Sequence, residues 1–153
     1  MVESDLSAAA DIDAPPHVLY DIIADYRVNH PRILPRPPFE SLNVEQGGTG
    51  AGTVIRVGIR LLGRLQTYRA NVTEPEPGRV LVETNENGYA TSFTVDPRAD
   101  GSSARVTIAT KLSGRGGVIG ALERRFVTWL LRPVYIRELE NLAAVARESS
   151  WQQ

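Results

Sequence analysis

The chain contains no cysteine. Disulfides, thiolate nucleophiles, iron–sulfur clusters and cysteine-held zinc are thereby excluded. Histidine is nearly as scarce: His17 and His30 are the only two. No H-x-x-x-H or comparable spacing supplies a metal-ligand set, so neither a metal nor another cofactor is expected. A G-x-S-x-G elbow for a serine nucleophile is also missing. Neither sign of charge dominates, with 17 basic against 18 acidic residues and a formal net charge of -1. No global field therefore gathers nucleic acid or an acidic membrane, and neither is an expected partner. Long apolar runs are lacking too. The most apolar window, "FVTWLLRPVYI", is too short to span a bilayer and contains Arg132 and Pro133. The opening "MVESDLSAAADIDAPP" has neither a basic start nor an apolar core, so no secretory signal is read and a cytoplasmic location is expected.

What is present describes an ordinary globular chain. Its 153 residues, 42% hydrophobic and 23% charged, suit one domain over 1–153, with the last few residues frayed. Leu6, Ala8, Ala10 and Ile12 alternate with smaller or polar residues, the period-two mark of a half-buried strand. Asp13 followed by Pro15 and Pro16 predicts a helix start, and Val18, Leu19, Ile22 and Ile23 carry the helix to about Asp25. Prolines at 31, 35, 37 and 38 then forbid regular structure beyond a single turn.

From Phe39 the alternation predicts six antiparallel strands. Ile55, Val57, Ile59 and Leu61 share the inward face of one, and Gln66, Tyr68, Ala70 and Val72 that of the next. Thr84, then Tyr89, Thr91, Phe93 and Val95, then Val106, Ile108, Thr110 and Leu112 are assigned inward on the last three. Leu62-Gly63 and the Asn-Gly of "NENG" mark turns. After a flexible "SGRGG" (Ser113 to Gly117), helical spacing runs to about Glu148. Its apolar stripe is Ile119, Leu122, Phe126, Trp129 and Leu130 before Pro133, and Tyr135, Leu139, Leu142 and Ala146 after it. At about 100° per residue the two stripes point in nearly opposite directions, which predicts a kink or break at Pro133.

Three stretches in this order resemble the START-like (SRPBCC) helix-grip superfamily, which includes polyketide cyclases and dehydrases, lipid-transfer domains and birch-pollen-type allergens. They are "IDAPPHVLYDIIADY" (Ile12 to Tyr26), "DYRVNHPRILP" (Asp25 to Pro35) and "GGTGAGTVIRV" (Gly47 to Val57). The resemblance spans essentially the whole chain. It implies an α+β fold: a curved antiparallel sheet of about seven strands wrapped around a long, Pro-kinked C-terminal helix. It also implies a ligand cavity between sheet and helix, with the proline-rich segment beside one mouth. That segment reads either as a stiff rim touching ligand or as a rigid link between the first helix and the second strand.

The remaining motifs sort by context. "GGTGAG" precedes a strand rather than a helix and lacks Gly-Lys-Ser/Thr, so it reads as a hairpin loop at a mobile cavity edge and not as a phosphate cradle. His17 falls on the surface of the first helix. His30 is either a solvated loop residue or one half of a His–Asp couple with Asp25. Gln66, Tyr68, Thr84, Tyr89, Thr91 and Thr110 put polar groups among apolar inward neighbours. That mixture suits a small-molecule pocket better than a filled core, where each unpaired polar atom costs about 1–3 kcal/mol.

The leading expectation is therefore a pocket for an apolar or aromatic small molecule, lipid or polyketide-like. Ile55, Val57, Phe93, Phe126, Trp129 and Leu130 would supply apolar burial, and Tyr68 and Tyr89 orientation. A cyclase, aromatase or dehydratase is the alternative, with His30, Tyr68 and Tyr89 as its candidate acid–base groups and Arg69 available only in the opposite strand register. A third reading is an interaction module that docks a protein, a second copy of the chain included, on the apolar helix face.

Overall fold

The computed structural model describes residues 6–112 and 117–151. The elements follow in the order β1 (Leu6–Ile12), α1 (Pro16–Ala24), α2 (His30–Ile33), β2 (Phe39–Gln46), β3 (Val54–Leu61), β4 (Arg64–Glu76), β5 (Val80–Asn85), β6 (Ala90–Arg98), β7 (Ser103–Lys111) and α3 (Gly117–Trp151). All seven strands form one antiparallel sheet in the order β1-β7-β6-β5-β4-β3-β2. Six strands form a simple meander, and β1 joins its far edge beside β7. This is the expected α+β helix-grip arrangement, a curved sheet grasping one long helix. The expected C-terminal fraying falls on residues outside those described, as does the "SGRGG" link apart from Gly117.

The N-terminal connection is built from short constraints. Pro15, not Asp13, caps α1, and no side chain bonds to that end. Pro16 at the first helical position loses only an N–H that the helix cannot use. The helix stops at Asp25, whose carboxylate accepts from the backbone N–H groups of Arg27, Val28 and Asn29 at 3.2 Å each. That cluster turns the chain into α2, the one helical turn that the prolines allow. The proline segment then lies against α3. Asn141 donates to the Ile33 carbonyl at 3.0 Å, and Arg137 to the Pro37 carbonyl at 3.3 Å.

The glycine loop is a clasp and not the mobile cavity edge expected. Tyr26 N–H donates to the Gly48 carbonyl at 2.9 Å, and Gly50 N–H to the Ala24 carbonyl at 3.0 Å. The loop is thus stitched to the end of α1. Gly47 has φ +69°, and a Cβ there would lie 3.0 Å from the Thr53 backbone, so both conformation and space call for glycine.

Helix α3 continues through Pro133 without a break, and its first half turns a different face inward from the one expected. Its inward residues form one stripe across the proline: Leu131, Val134, Tyr135, Leu139, Leu142 and Ala146, all buried or half-buried. Leu122, Phe126 and Trp129 point away and are 59%, 47% and 72% exposed. The side chain of Ile119, the first member of the expected stripe, lies outside the described residues. The reversal of face inferred at Pro133 arose because the first half of α3 is apolar on two sides, and the outward side holds the larger residues. The buried stripe packs on β1, α1 and α2.

This assignment predicts an inversion of the usual size rule. Leu139→Ala should destabilise by about 2–5 kcal/mol, as buried leucine truncations do. Trp129→Ala should cost no more than about 0.5 kcal/mol despite its larger side chain. Denaturant unfolding of both variants checks this, and the opposite ranking would mean that α3 presents its other face to the sheet.

Candidate functional site

Antiparallel pairing puts directly opposed residues on one face of the sheet. Tyr68 lies opposite Val57, and Phe93 opposite Ile108. Thr91 faces Thr110 on one side and Glu83 on the other. Glu83 therefore points inward together with Leu81, whereas Thr84 pairs with Ala90 and is exposed. This reverses the face expected for β5. The Asn-Gly turn encloses Glu86–Gly88, so Asn85 meets Tyr89 and the register places 83, not 84, across from 91.

Between this concave face and α3 lies a cavity of about 180 Å³, open at one end. Leu61, Gln66 and Tyr89 stand along its walls, with Val127 and Leu131 of α3 above. Phe39, Tyr68, Glu83, Thr91 and Tyr135 also border a smaller inner chamber of about 40 Å³. That chamber is completed by His30, Leu34, Leu42, Ile55, Val57, Phe93 and Glu138.

The expected site residues thus divide. Ile55, Val57, Phe93 and His30 line the inner chamber, Tyr89 lines the outer cavity, and Tyr68 stands between the two. Leu130 borders neither compartment, and Phe126 and Trp129 face solvent, with ring centroids 6.2 Å apart. Arg69 points outward and bonds to Glu45 at 2.6 Å, consistent with the expected register. The proline-rich segment contributes Leu34 and its flanking residues His30 and Phe39, which line the inner chamber.

His30 is neither solvated nor coupled to Asp25. It is 1% exposed and stacks on Tyr26, with ring centroids 4.3 Å apart. Its Nδ1 lies 2.6 Å from the Ile23 carbonyl, which can only accept. Nδ1 therefore carries the proton, and Nε2 faces the Glu83 Oε2 atom at 3.6 Å. Asp25 is occupied by the backbone cluster described above. The same Glu83 oxygen accepts a hydrogen bond from the Tyr26 hydroxyl at 2.5 Å. Beside Glu83 on the sheet, Thr91 and Thr110 form a chain of hydroxyls with Tyr135 of α3, with spacings of 2.8 and 2.5 Å.

Glu138 is the exceptional group. It is 3% exposed, borders the inner chamber, and among the described residues none donates a hydrogen bond to its carboxyl. Burial first, and the negative charge of Glu83 second, push its pKa well above the usual carboxylate range. That shift favours the neutral acid, the form in which the carboxyl can donate a hydrogen bond. Burial also raises the Tyr68 and Tyr26 phenols well above 10, and Tyr135 to about 12. The Tyr68 hydroxyl, like Glu138, has no hydrogen-bond partner among the described residues, and the accessible part of its ring faces the two compartments.

Glu83, Glu138, Tyr26 and Tyr135 were missed as site residues by the pattern of the sequence. The signal for Glu83 was the inward Thr91 combined with a three-residue turn. For Glu138 it was the spacing Leu131–Tyr135–Glu138–Leu142, once the true stripe is known.

The raised pKa of Glu138 has a sign in folding. Below its unfolded value of 4.5 both states hold the proton. As pH rises past 4.5 the unfolded chain releases it and the folded chain keeps it, so stability falls with pH until the folded pKa is reached. Glu138→Gln removes this penalty. Its stability should gain on the parent chain between pH 4.5 and 7, by at most about 1.4 kcal/mol per pH unit. Chemical denaturation at pH 4, 5.5 and 7 checks this, and a difference that stays constant with pH would refute it.

Comparison with other proteins matches this geometry to known ones. A family model described as "Polyketide cyclase / dehydrase and lipid transport" matches residues 4–147. Among solved structures, the KanY protein (ms6282) is similar at 28% identity and a TM-score of 0.81, covering 96% of this chain and 99% of its own. The Zhui aromatase/cyclase from Streptomyces sp. R1128 shares the fold at 14% identity and a TM-score of 0.71, over 93% of this chain and 92% of its own. A START superfamily protein from Mycobacterium smegmatis does so at 12% identity and a TM-score of 0.71, over 94% and 97%. No curated protein matches the chain. The family match covers nearly the full length, and the chain belongs to the polyketide cyclase / dehydrase and lipid transport family, on the START-like fold.

Proposed function

We propose that the chain binds an apolar or aromatic small molecule in the cavity beneath α3. The observation that carries this reading is the pair of adjoining compartments beneath α3, about 180 and 40 Å³, which share Phe39, Tyr68, Glu83, Thr91 and Tyr135 in their walls. Binding sites of this class combine apolar walls with a few placed polar groups. A dry cavity of about 150 Å³ suffices to hold benzene, so the outer compartment accommodates a single ring, with any larger skeleton extending through the open end. Apolar burial supplies the affinity, at roughly 25 cal/mol per Å² removed from water. The family's association with polyketide chemistry and lipid transport supports a hydrophobic ligand.

A second reading, a cyclase- or dehydratase-type enzyme, draws on one specific observation. His30 is anchored through Nδ1 on the Ile23 carbonyl with Nε2 turned toward Glu83, and the Glu138 carboxyl, shifted toward its protonated form, borders the same chamber. Aldol and dehydration chemistry needs a proton acceptor and a proton donor at one substrate. In that reading His30→Gln abolishes turnover while ligand affinity survives.

Native mass spectrometry of freshly purified protein, beside a denaturing run, tests the binding reading first. A co-purifying mass that leaves on denaturation is the expected result. Val127→Trp, which fills the cavity from the helix side without touching the sheet, should lose that mass and keep the parent chain's circular dichroism. Retention of the ligand by a folded Val127→Trp variant would place binding elsewhere.

A further inference from the structure

The inner chamber does more than end the cavity. Two of its polar groups, the Tyr68 hydroxyl from β4 and the Glu138 carboxyl from α3, have no hydrogen-bond partner among the described residues, although Glu138 is 3% exposed. Every other polar side chain of the chamber is engaged. Tyr26 donates to Glu83, His30 Nδ1 donates to the Ile23 carbonyl, and Thr91, Thr110 and Tyr135 satisfy one another. Among the described residues no fully buried side-chain polar atom lacks a partner, so the unpaired atoms of these two groups remain reachable by solvent and by a ligand.

We propose that Tyr68 and Glu138 form a donor pair for a neutral carbonyl oxygen, so that the chamber selects a ketone, aldehyde or quinone carried on an aromatic or unsaturated skeleton and rejects carboxylates. The proposal rests on the binding reading above and names the ligand class for that site.

The chemistry of the two groups fits. One carbonyl oxygen has two lone pairs and accepts two hydrogen bonds. A phenol and a neutral carboxylic acid both donate, and a carboxylic acid kept protonated by an apolar site is an established way of supplying a donor at neutral pH. The direction of the Glu138 shift agrees with that state. Glu83 decides against anions. Its negative charge borders the same chamber, and among the described residues no arginine or lysine does. A ligand carboxylate placed there would meet a like charge in a water-poor space, where repulsion is strong. A neutral oxygen carries no like charge and accepts from both donors.

Four probes of one shape test this by calorimetry at pH 7: 2-acetylnaphthalene, 2-ethylnaphthalene, 2-naphthoate and 2-naphthylmethylamine. The ketone should bind roughly tenfold tighter than the hydrocarbon, the gain expected of one to two neutral hydrogen bonds. It should exceed naphthoate by more. Tyr68→Phe and Glu138→Leu should each reduce the ketone's advantage over the hydrocarbon about fivefold, and circular dichroism matching the parent chain's shows that the fold is intact. Should either variant fail to fold, the parent chain's ranking of the four probes decides alone. Equal binding of ketone and hydrocarbon overturns the donor pair while leaving the binding reading in place. Tightest binding of naphthoate overturns the exclusion of anions. Tightest binding of the amine overturns the proposal in favour of a cation site between the two carboxyls. Binding of none of the four overturns the binding reading and the proposal together.

Discussion

One constraint shapes the rest of the molecule: a seven-stranded meander cannot cover its own concave face, and only α3 is long enough to do it. The backbone hydrogen bonds of the sheet are satisfied strand to strand, so the sheet itself does not require a helix. Its inward side chains do, because Leu81, Phe93, Ile108 and their neighbours would otherwise lie in water. The helix is fastened on three sides, by β1, α1 and α2. Before Pro133 it overhangs the open end of the cavity, with Val127 and Leu131 on the cavity side. Closure at one end and overhang at the other leave a cavity rather than a filled core.

The short N-terminal segments serve the same closure. Prolines and the Asp25 cluster hold α2 in place with few degrees of freedom, and α2 delivers His30 and Leu34 beneath the sheet. The glycine loop clasps the end of α1 and lets Tyr26 reach Glu83. A chain break that looks like a mere connector therefore sets the back wall of the inner chamber. Firm placement matters there because polar groups are specific only when they cannot swing away.

The chamber also carries a cost that a purely structural core would avoid. Glu138, unpaired and close to another carboxyl, lowers the stability of the folded state at neutral pH, and a leucine would fit the helix stripe as well. Destabilising polar groups of this kind concentrate at functional sites, where their use lies outside folding. The contrast with the outer face of the sheet is clear. There Glu45 meets Arg56 and Arg69, Glu40 meets Arg60, and Asp96 meets Arg79, all in solvent and each worth little alone.

Much of this was legible in the residues. Period-two alternation found β1 and the six later strands, prolines 31 to 38 limited α2 to one turn, and three ordered stretches pointed to the helix-grip fold. The inward faces of β3, β4, β6 and β7 followed from alternation because one parity was plainly apolar. In β5 both parities mix apolar and polar residues, so alternation could not choose, and Thr84 was taken for Glu83. In α3 both sides of the first half are apolar, so spacing could not choose there either, and Phe126 and Trp129 were placed inside. What the sequence by itself determined is the identity and order of the elements, because periodicity and turn chemistry are local. Which face of β5 and α3 turns inward was decided only by tertiary structure. Strand register and helix rotation are settled by partners distant in the chain, and on those two faces rest Glu83, Glu138 and the chamber they share.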